Sequence, residues 1–519
     1  MPTNKELSDE LRTLRAEHAA LKKRVSSFFV RTPEKTEASE KLRQGYIPYL
    51  AAEPKLSVNT DRLDLPETIL IEGDNLGVLL GLNSAYESKV DVIYIDPPYN
   101  TGKRVYTYSD TYGDSRIKND YREAILNRHS AWLTYMEVRL TLARSLLRDT
   151  GAIICAIGAD EHAHLRLLMD SIFGEDNFMS NVTWTGALKN NARYVSESSD
   201  YMLIYAKDKE KLQSSVPKWR AKKASAQLLI EAAKEIWEDN DNDSVNATKA
   251  LRRFYKTQTA RDIFAAEPGL KMYNAIDDLG KLYRAGDLSS PNGVGANYKV
   301  INPNTGNPVT LPKRGWANSE ATFNNKIAAN EILWNGDNVP AYKRFLENSL
   351  DIVLKDSVQR DRDASNKLLH RIIGNGKFSY PKDHNILAEW IDYVTPDFRK
   401  SDELDPPVIL DFFAGSASTA HAVAELNAFD GGTRTCIAIT SNENDIAREV
   451  AAARMKAVFT GHWAKENTIP LRGRLSFYKA NFSKPVSEPK KPWGIVKYSQ
   501  EYVQEVKAEV KILKNSGLL

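Results

Sequence analysis

The chain has 519 residues, 42% of them hydrophobic and 27% charged, which is enough for a large core and about two to four domains. Its 71 basic and 68 acidic residues leave a net charge of only +3, so any surface for a polyanion must be local. The N-terminus is polar and no stretch approaches the roughly 20 apolar residues of a membrane span, so neither a leader nor a membrane segment is expected and the chain is assigned to the cytoplasm.

Residues 1–58 form the first segment, an expected helical arm. Leu7, Leu11, Leu14, His18, Leu21, Val25 and Phe28 recur in steps of four and three, which is heptad spacing. That stripe serves either to pack the helix on its own domain or to make a homodimer contact. Residues 59–210 then alternate strand and helix. A short strand over 67–72 runs into the turn Gly73-Asp74-Asn75 and a helix. The run VDVIYI at 90–95 has the β-branched and aromatic composition of a buried parallel strand. It stops at Asp96-Pro97-Pro98, because two prolines cannot continue a ladder. A helix over 131–147, a buried strand over 151–157 and a helix from 161 follow. Cys155 and Cys436 sit in apolar runs and are expected as buried, reduced thiols.

Residues 211–345 lose this alternation and read as an inserted module. Basic and aromatic residues interleave there and at its border: Lys218-Trp219-Arg220, Arg252-Arg253-Phe254-Tyr255-Lys256 and Lys313-Arg314-Gly315-Trp316. Each cluster reads either as a nucleic-acid contact or as a solvated face with its aromatics in a small core. Residues 346–478 return to α/β, with strands at 408–412 and 436–440 around a small-residue loop and a helix at 420–426. Residues 479–519 form a Pro/Lys-rich tail ending in a helix. Strand–helix alternation of this kind specifies a doubly wound, Rossmann-like parallel sheet.

The chemistry is expected at the carboxyl end of the 90–95 strand, where open α/β sheets bind ligands. The Asp96 carboxylate can accept one N–H of an amino group on a flat ring, and the Pro97 carbonyl the other, its direction held by Pro98. Holding both hydrogens draws the nitrogen lone pair out of conjugation and frees it to attack a methyl group. Tyr99 offers a face on which the base can stack once it is swung out of a duplex. A second site candidate is Asp411-Phe412-Phe413-Ala414-Gly415-Ser416-Ala417-Ser418-Thr419, a glycine-containing turn opening a helix. By itself this loop fits nucleotide binding or plain helix packing as well. No metal site is expected: His162 and His164, two apart on a helix, point away from each other, and no HExxH or paired CxxC occurs. No phosphate-binding Walker loop or nuclease motif occurs either.

In order along the chain, ILIEGDNLGVLLGL, VIYIDPPYNTG, WLTYMEVRLTLARSLLRDTGAIICAIG, LMDSIFGEDNF, KFSYPKDHNILAEWI and ILDFFAGSASTAHAVAELNAFDGGTR make the chain resemble β-class amino-methyltransferases of DNA. The resemblance is nearest to the modification subunits of type III restriction–modification systems and spans residues 60–480, loosely in the insert. It implies a site-specific enzyme moving a methyl group from S-adenosylmethionine to adenine N6 in double-stranded DNA. Cytosine-N4 methylation is the alternative enzyme reading; Asp96, where cytosine enzymes more often carry Ser, favours adenine. A specificity subunit with secondary or lost catalysis is the other alternative.

The resemblance also implies a cofactor pocket of Asp74, Asn75, Asp96, Lys382, Asp411, Phe413, Ala414, Gly415, Ser416 and Glu443. In it the loop curls under the methionine end, Lys382 lies where the methionine carboxylate is usually held, and Glu443 reaches the ribose. A tight turn at Asp74-Asn75 and a solvated acid at Glu443 describe those residues equally well. The family's usual Gly-Ser-Gly-Thr-Thr is here Gly415-Ser416-Ala417-Ser418-Thr419, which Ala417 tolerates if it keeps a negative φ. The insert becomes a target-recognition domain using Lys218, Arg220, Arg252, Arg253, Lys313 and Arg314. A homodimer and a separate restriction subunit are the implied partners.

Overall fold

The computed structural model describes residues 36–101, 121–186, 194–195, 199–216, 218–291, 293–360, 363–395, 405–484 and 499–519. The N-terminal heptad lies outside the described residues. The chain divides into two compact units: residues 1–219 with 355–519, and residues 220–354.

The first unit is built on a ten-stranded sheet. Its strands are β1 (Ile47–Ala52), β2 (Glu67–Glu72), β3 (Val90–Ile95), β4 (Leu147–Ile157), β5 (Phe178–Thr185), β6 (Ser199–Ala206), β7 (Ser357–Gln359), β8 (Val408–Asp411), β9 (Thr435–Thr440) and β10 (Arg474–Ser483). Their spatial order is β1-β10-β2-β9-β8-β3-β4-β6-β5-β7. The six strands from β10 to β4 are parallel, as expected. The sheet as a whole is mixed, because β6 runs antiparallel to both β4 and β5 and β1 runs antiparallel to β10. Every residue of β3 is buried, the signature of a strand covered on both faces.

Helices α1 (Asn75–Tyr86), α2 (Tyr121–Leu146), α3 (His162–Phe173), α4 (His384–Val394), α5 (Ser418–Asp430), α6 (Ala453–Thr460) and α7 (Gln500–Asn515) belong to this unit. The main core joins Leu79, Ile93, Trp132, Ile153, Leu410 and Ile439. Cys155 and Cys436 are free and buried in β4 and β9. Among the described residues no helix is long and apolar enough to cross a membrane.

Both ends of the chain are more integrated than expected. The segment assigned to the N-terminal arm contributes β1, which pairs with β10 from Ile47↔Ser483 to Ala52↔Tyr478. The expected C-terminal tail likewise supplies the end of β10, and α7 buries Tyr502, Val503 and Val506 in the main core. Heptad spacing and Lys/Pro content said nothing of these pairings, which depend on partners more than 400 residues away.

The second unit begins at Arg220 and ends at Leu354, not at the expected 211 and 345. The helix Lys209–Ser215 packs Leu212 against Ala152 and Ala206 of the first unit's sheet. At the other end Asp351–Val353 pairs antiparallel with Arg220–Lys222 and closes the module. Inside it one core gathers Leu229, Leu251, Tyr273 and Leu346, and another Leu288, Val300, Trp316 and Phe323.

Candidate active site

Strand order explains how distant segments meet. Ile409 and Leu410 of β8 lie beside Val92 and Ile93 of β3. Both strands are parallel, so Asp96 and the loop after Asp411 leave the same edge of the sheet. A cleft of about 270 Å³ opens there. All ten expected cofactor residues line it: Asp74, Asn75, Asp96, Lys382, Asp411, Phe413, Ala414, Gly415, Ser416 and Glu443. Of the expected catalytic residues Pro98 joins Asp96 in the lining, while Pro97 and Tyr99 stand outside it.

The wall beside α1 is set by polar contacts. Asp74 caps α1 by accepting from the Leu76 N–H at 2.9 Å. Asn75 donates to the Phe412 carbonyl at 2.8 Å and accepts from Arg139 Nε at 2.5 Å. Arg139, buried in α2, lies 3.6 Å from the centre of the Tyr135 ring, which lines the cleft. Asp74 thus caps α1 and Asn75 opens it, both at the cleft. Nothing in the sequence marks Arg139 or Tyr135, since a helix carrying arginine and tyrosine is ordinary.

The loop after β8 is braced from within. Asp411 accepts from Thr419 Oγ1 at 2.5 Å and from the Phe413 N–H at 2.9 Å. Burial pushes its carboxyl up to about 7, with these two hydrogen bonds pulling it back. Gly415 has φ 48°, a left-handed conformation suited to glycine. Ala417 departs from the expectation of negative φ: it sits at φ 58°, ψ 37°, as the residue before α5, with its methyl fully buried.

At Asp96 the structure adds a cluster. Lys382 Nζ lies 3.3 Å from Asp96 Oδ1, 3.0 Å from Asp200 Oδ2 and 2.5 Å from the Tyr99 hydroxyl. Lys382 therefore lines the cleft with its ammonium engaged by the Asp96 motif, where a methionine-carboxylate contact had been expected. Burial raises the proton affinity of Asp96, the Lys382 ammonium lowers it, and the Asp200 carboxylate raises it again, for a net upward shift. Pro98 spends its carbonyl on Trp132 Nε1 at 2.8 Å. Among the described residues no hydrogen bond is made to that of Pro97. Asp200 enters from β6, whose antiparallel insertion no local pattern announces.

Tyr99 packs against the end of β4. A methyl on Gly158 would lie 2.7 Å from Tyr99 Cδ2, so only glycine leaves room for the ring as placed. Behind it Asn100, buried with φ 56°, donates to Glu161 Oε1 at 2.5 Å. Glu161 also meets His129 Nδ1 at 2.6 Å and His164 Nδ1 at 3.0 Å. His164 thus meets the N-cap residue of its own helix, three positions back, and the carboxylate is engaged by Asn100, His129 and His164.

Of the expected DNA contacts, Lys218, Arg252, Arg253, Lys313 and Arg314 are exposed and Arg220 is half-buried in a strand. Arg314 pairs with Asp287 at 3.2 Å. The aromatics beside them turn inward: Trp316 is buried, and Phe254 and Tyr255 pack on the module's first core. The interleaving therefore reflects small cores under a basic surface rather than a row of stacking rings.

Comparison with known proteins adds the family. The profile of a family described as DNA methylase matches residues 90–448. The chain is 32% identical over 405 residues to the type III restriction-modification enzyme StyLTI Mod subunit of Salmonella typhimurium, covering 73% of this chain and 54% of that protein. It is 31% identical over 392 residues to type II methyltransferase M.KpnI of Klebsiella pneumoniae, covering 74% of this chain and 83% of that one. A solved structure of PvuII DNA methyltransferase (cytosine-N4-specific) aligns at 10% identity and a TM-score of 0.34, over 86% of this chain and 95% of that one. The chain thus spans about half the length of the type III subunit and most of the type II enzyme. Since the matched region contains both the Asp96 motif and the loop after Asp411, the chain belongs to the N6/N4 DNA methylase family.

Proposed function

We propose that the chain transfers a methyl group from S-adenosylmethionine to N6 of an adenine flipped out of double-stranded DNA. One observation carries the reading: Asp96 and the glycine loop, far apart in sequence, share one cleft at the carboxyl edge of the sheet. The residues present fit the cofactor. Tyr135 and Phe413 offer apolar faces, Glu443 a carboxylate for ribose hydroxyls, and the Gly415 turn close backbone approach. When bound there, S-adenosylmethionine supplies an electrophilic methyl on a positively charged sulfur.

The chain's own residues do the rest. Asp96 Oδ1 and the Pro97 carbonyl accept the two amino hydrogens, and Tyr99 positions the base. The raised proton affinity of Asp96 suits it to take the proton that methylation makes acidic. Lys382 holds the Asp96 carboxylate against Asp200 and keeps a counter-charge at hand. Asp at position 96 favours adenine. The module 220–354, with Arg252, Arg253, Lys313 and Arg314 exposed, reads the DNA through phosphates and groove edges. The likeness to the Mod subunit of a type III restriction-modification enzyme supports work alongside a separate restriction subunit.

The test is product analysis of duplex DNA incubated with the protein and labelled S-adenosylmethionine. N6-methyladenine is expected, and N4-methylcytosine alone would overturn the base assignment. Asp96→Ala should lower turnover by about 100-fold or more while cofactor binding, measured by calorimetry, stays largely intact. Near-parental turnover of this variant would remove Asp96 from the chemistry.

A further inference from the structure

Against the glycine loop, but not among the residues that line the cleft, lies a buried cation that the reaction as outlined does not use. Arg454 of α6 is 2% exposed. Its Nη1 donates to the Ser416 carbonyl at 3.2 Å, to Ser418 Oγ at 2.9 Å and to Ser416 Oγ at 3.4 Å. Both serines line the cleft. On its other side Nε and Nη2 meet His421 Nδ1 at 3.3 and 3.1 Å. Among the described residues no carboxylate is in direct ion-pair contact with it. Its nearest compensation is relayed: His421 Nε2 lies 3.4 Å from Glu425 Oε1, and His384 Nε2 3.1 Å from Glu425 Oε2.

The relay has one consistent proton arrangement. Arg454 only donates, so His421 Nδ1 accepts and its proton sits on Nε2, facing Glu425. Burial, and then the Arg454 charge, drive His421 toward this neutral form. Desolvation weakens even the guanidinium's hold on its proton, to about 10. A cation so placed, with no carboxylate against it, is costly to bury unless opposite charge arrives from elsewhere. The two seryl hydroxyls connect it to the cleft. The Lys382 ammonium, otherwise the natural candidate for an anionic ligand group, is engaged by Asp96, Asp200 and Tyr99.

We propose that Arg454 is a positioning residue for the carboxylate of the ligand's amino-acid end, orienting Ser416 and Ser418 and placing a positive potential beneath the loop. The proposal rests on the reading of the cleft as an S-adenosylmethionine site and names what recognises one end of that ligand. Glu425, through His421, sets how much of the potential reaches the cleft.

Calorimetry with S-adenosylmethionine and decarboxylated S-adenosylmethionine, without DNA, tests it. The unmodified protein should bind the carboxylate-bearing form more tightly, by on the order of 10- to 100-fold. Arg454→Met should erase most of that preference, Arg454→Lys part of it, and Glu425→Gln should widen it. Loss of affinity for both ligands in equal ratio would mean that Arg454 merely supports the loop, and would overturn the proposal. So would an unmodified protein indifferent to the carboxylate. Binding of neither ligand by the unmodified protein would instead overturn the cofactor reading itself. Should Arg454→Met fail to fold, Glu425→Gln at its half-exposed position still decides, since an unchanged preference there sinks the relay.

Discussion

Gly158→Ala is the sharpest test of how the Asp96 motif is held. Gly158 follows β4 with a backbone conformation open to any L residue, so the substitution brings no torsional strain of its own. The added methyl meets Tyr99 at 2.7 Å from Cδ2 and 3.3 Å from Cγ and Cε2. Carbon contacts are comfortable at about 3.5–4.0 Å, so the ring must retreat by roughly 1 Å. Its hydroxyl, 2.5 Å from Lys382 Nζ, retreats with it, and the stacking face shifts relative to Asp96. Crowding of this kind costs about 1–3 kcal/mol of stability. A displacement of about 1 Å at a reacting centre lowers turnover by on the order of 100-fold. The cleft's cofactor wall is built by other residues, so affinity for S-adenosylmethionine should hold. The assay is single-turnover methyl transfer on DNA that the parent protein methylates, with calorimetry and thermal melting beside it. Parental turnover in a folded Gly158→Ala protein would refute the argument that Tyr99 is positioned by the absence of a side chain at 158. Parental turnover with weakened cofactor binding would tie Tyr99 to support of the cofactor wall rather than to the base.

Asp411 predicts a pH dependence of stability. Its carboxyl is raised from 3.8 to about 7 on folding, so the native state holds a proton that the unfolded chain releases. Stability from this group is therefore full below about pH 4 and lost as pH rises toward 7, by on the order of 2–4 kcal/mol. Asp411→Asn should flatten urea-derived stability over that range, and an unchanged slope would contradict the burial argument. Arg252→Ser with Arg253→Ser should weaken DNA binding and reduce the salt slope by about 0.9 for each phosphate no longer neutralised. Cofactor affinity should stay at the parental value; DNA affinity and salt slope both unchanged would remove this arginine pair from the interface.

The strands that carry the site were legible because a fully buried parallel strand has an unmistakable composition: VDVIYI became β3 as read, and Asp96 follows it. The loop after Asp411 was legible as a small-residue turn between a strand and a helix, but only the order of the surrounding blocks, not the loop itself, pointed to a cofactor. What escaped was the content of other strands' ends. Asp200 reaches Lys382 from an antiparallel strand placed between two parallel ones, and Gly158 matters only through a ring that sits 59 positions earlier in the chain. Arg454 escaped because a charged residue on an amphipathic helix is ordinarily solvated; its burial depends on the packing of α6 behind α5. Periodicity reports which face of an element is apolar, and none of these residues is on a face whose pattern differs from its neighbours.

Ala417 shows how a residue visible in sequence can still be misread without its torsion angles. At φ 58° an L residue bears about 1–2 kcal/mol of steric strain that glycine would not. Against this, the methyl is fully buried, and sealing a group of that size contributes about 0.8 kcal/mol. Glycine would also lose about 0.5–1 kcal/mol more through backbone freedom on folding. The three terms nearly cancel, so alanine is tolerated in a left-handed turn for a reason opposite to the one its sequence context implied: the backbone does not avoid the strained region, and burial of the methyl offsets being there. The same turn is held by Asp411 through Thr419 and by Arg454 through Ser416 and Ser418, hydrogen bonds that lock the loop on either side of position 417. A conformation over-determined by its neighbours can carry a residue that would not choose it. Shape at the cleft edge is therefore a property of the brace more than of the glycine content of the loop.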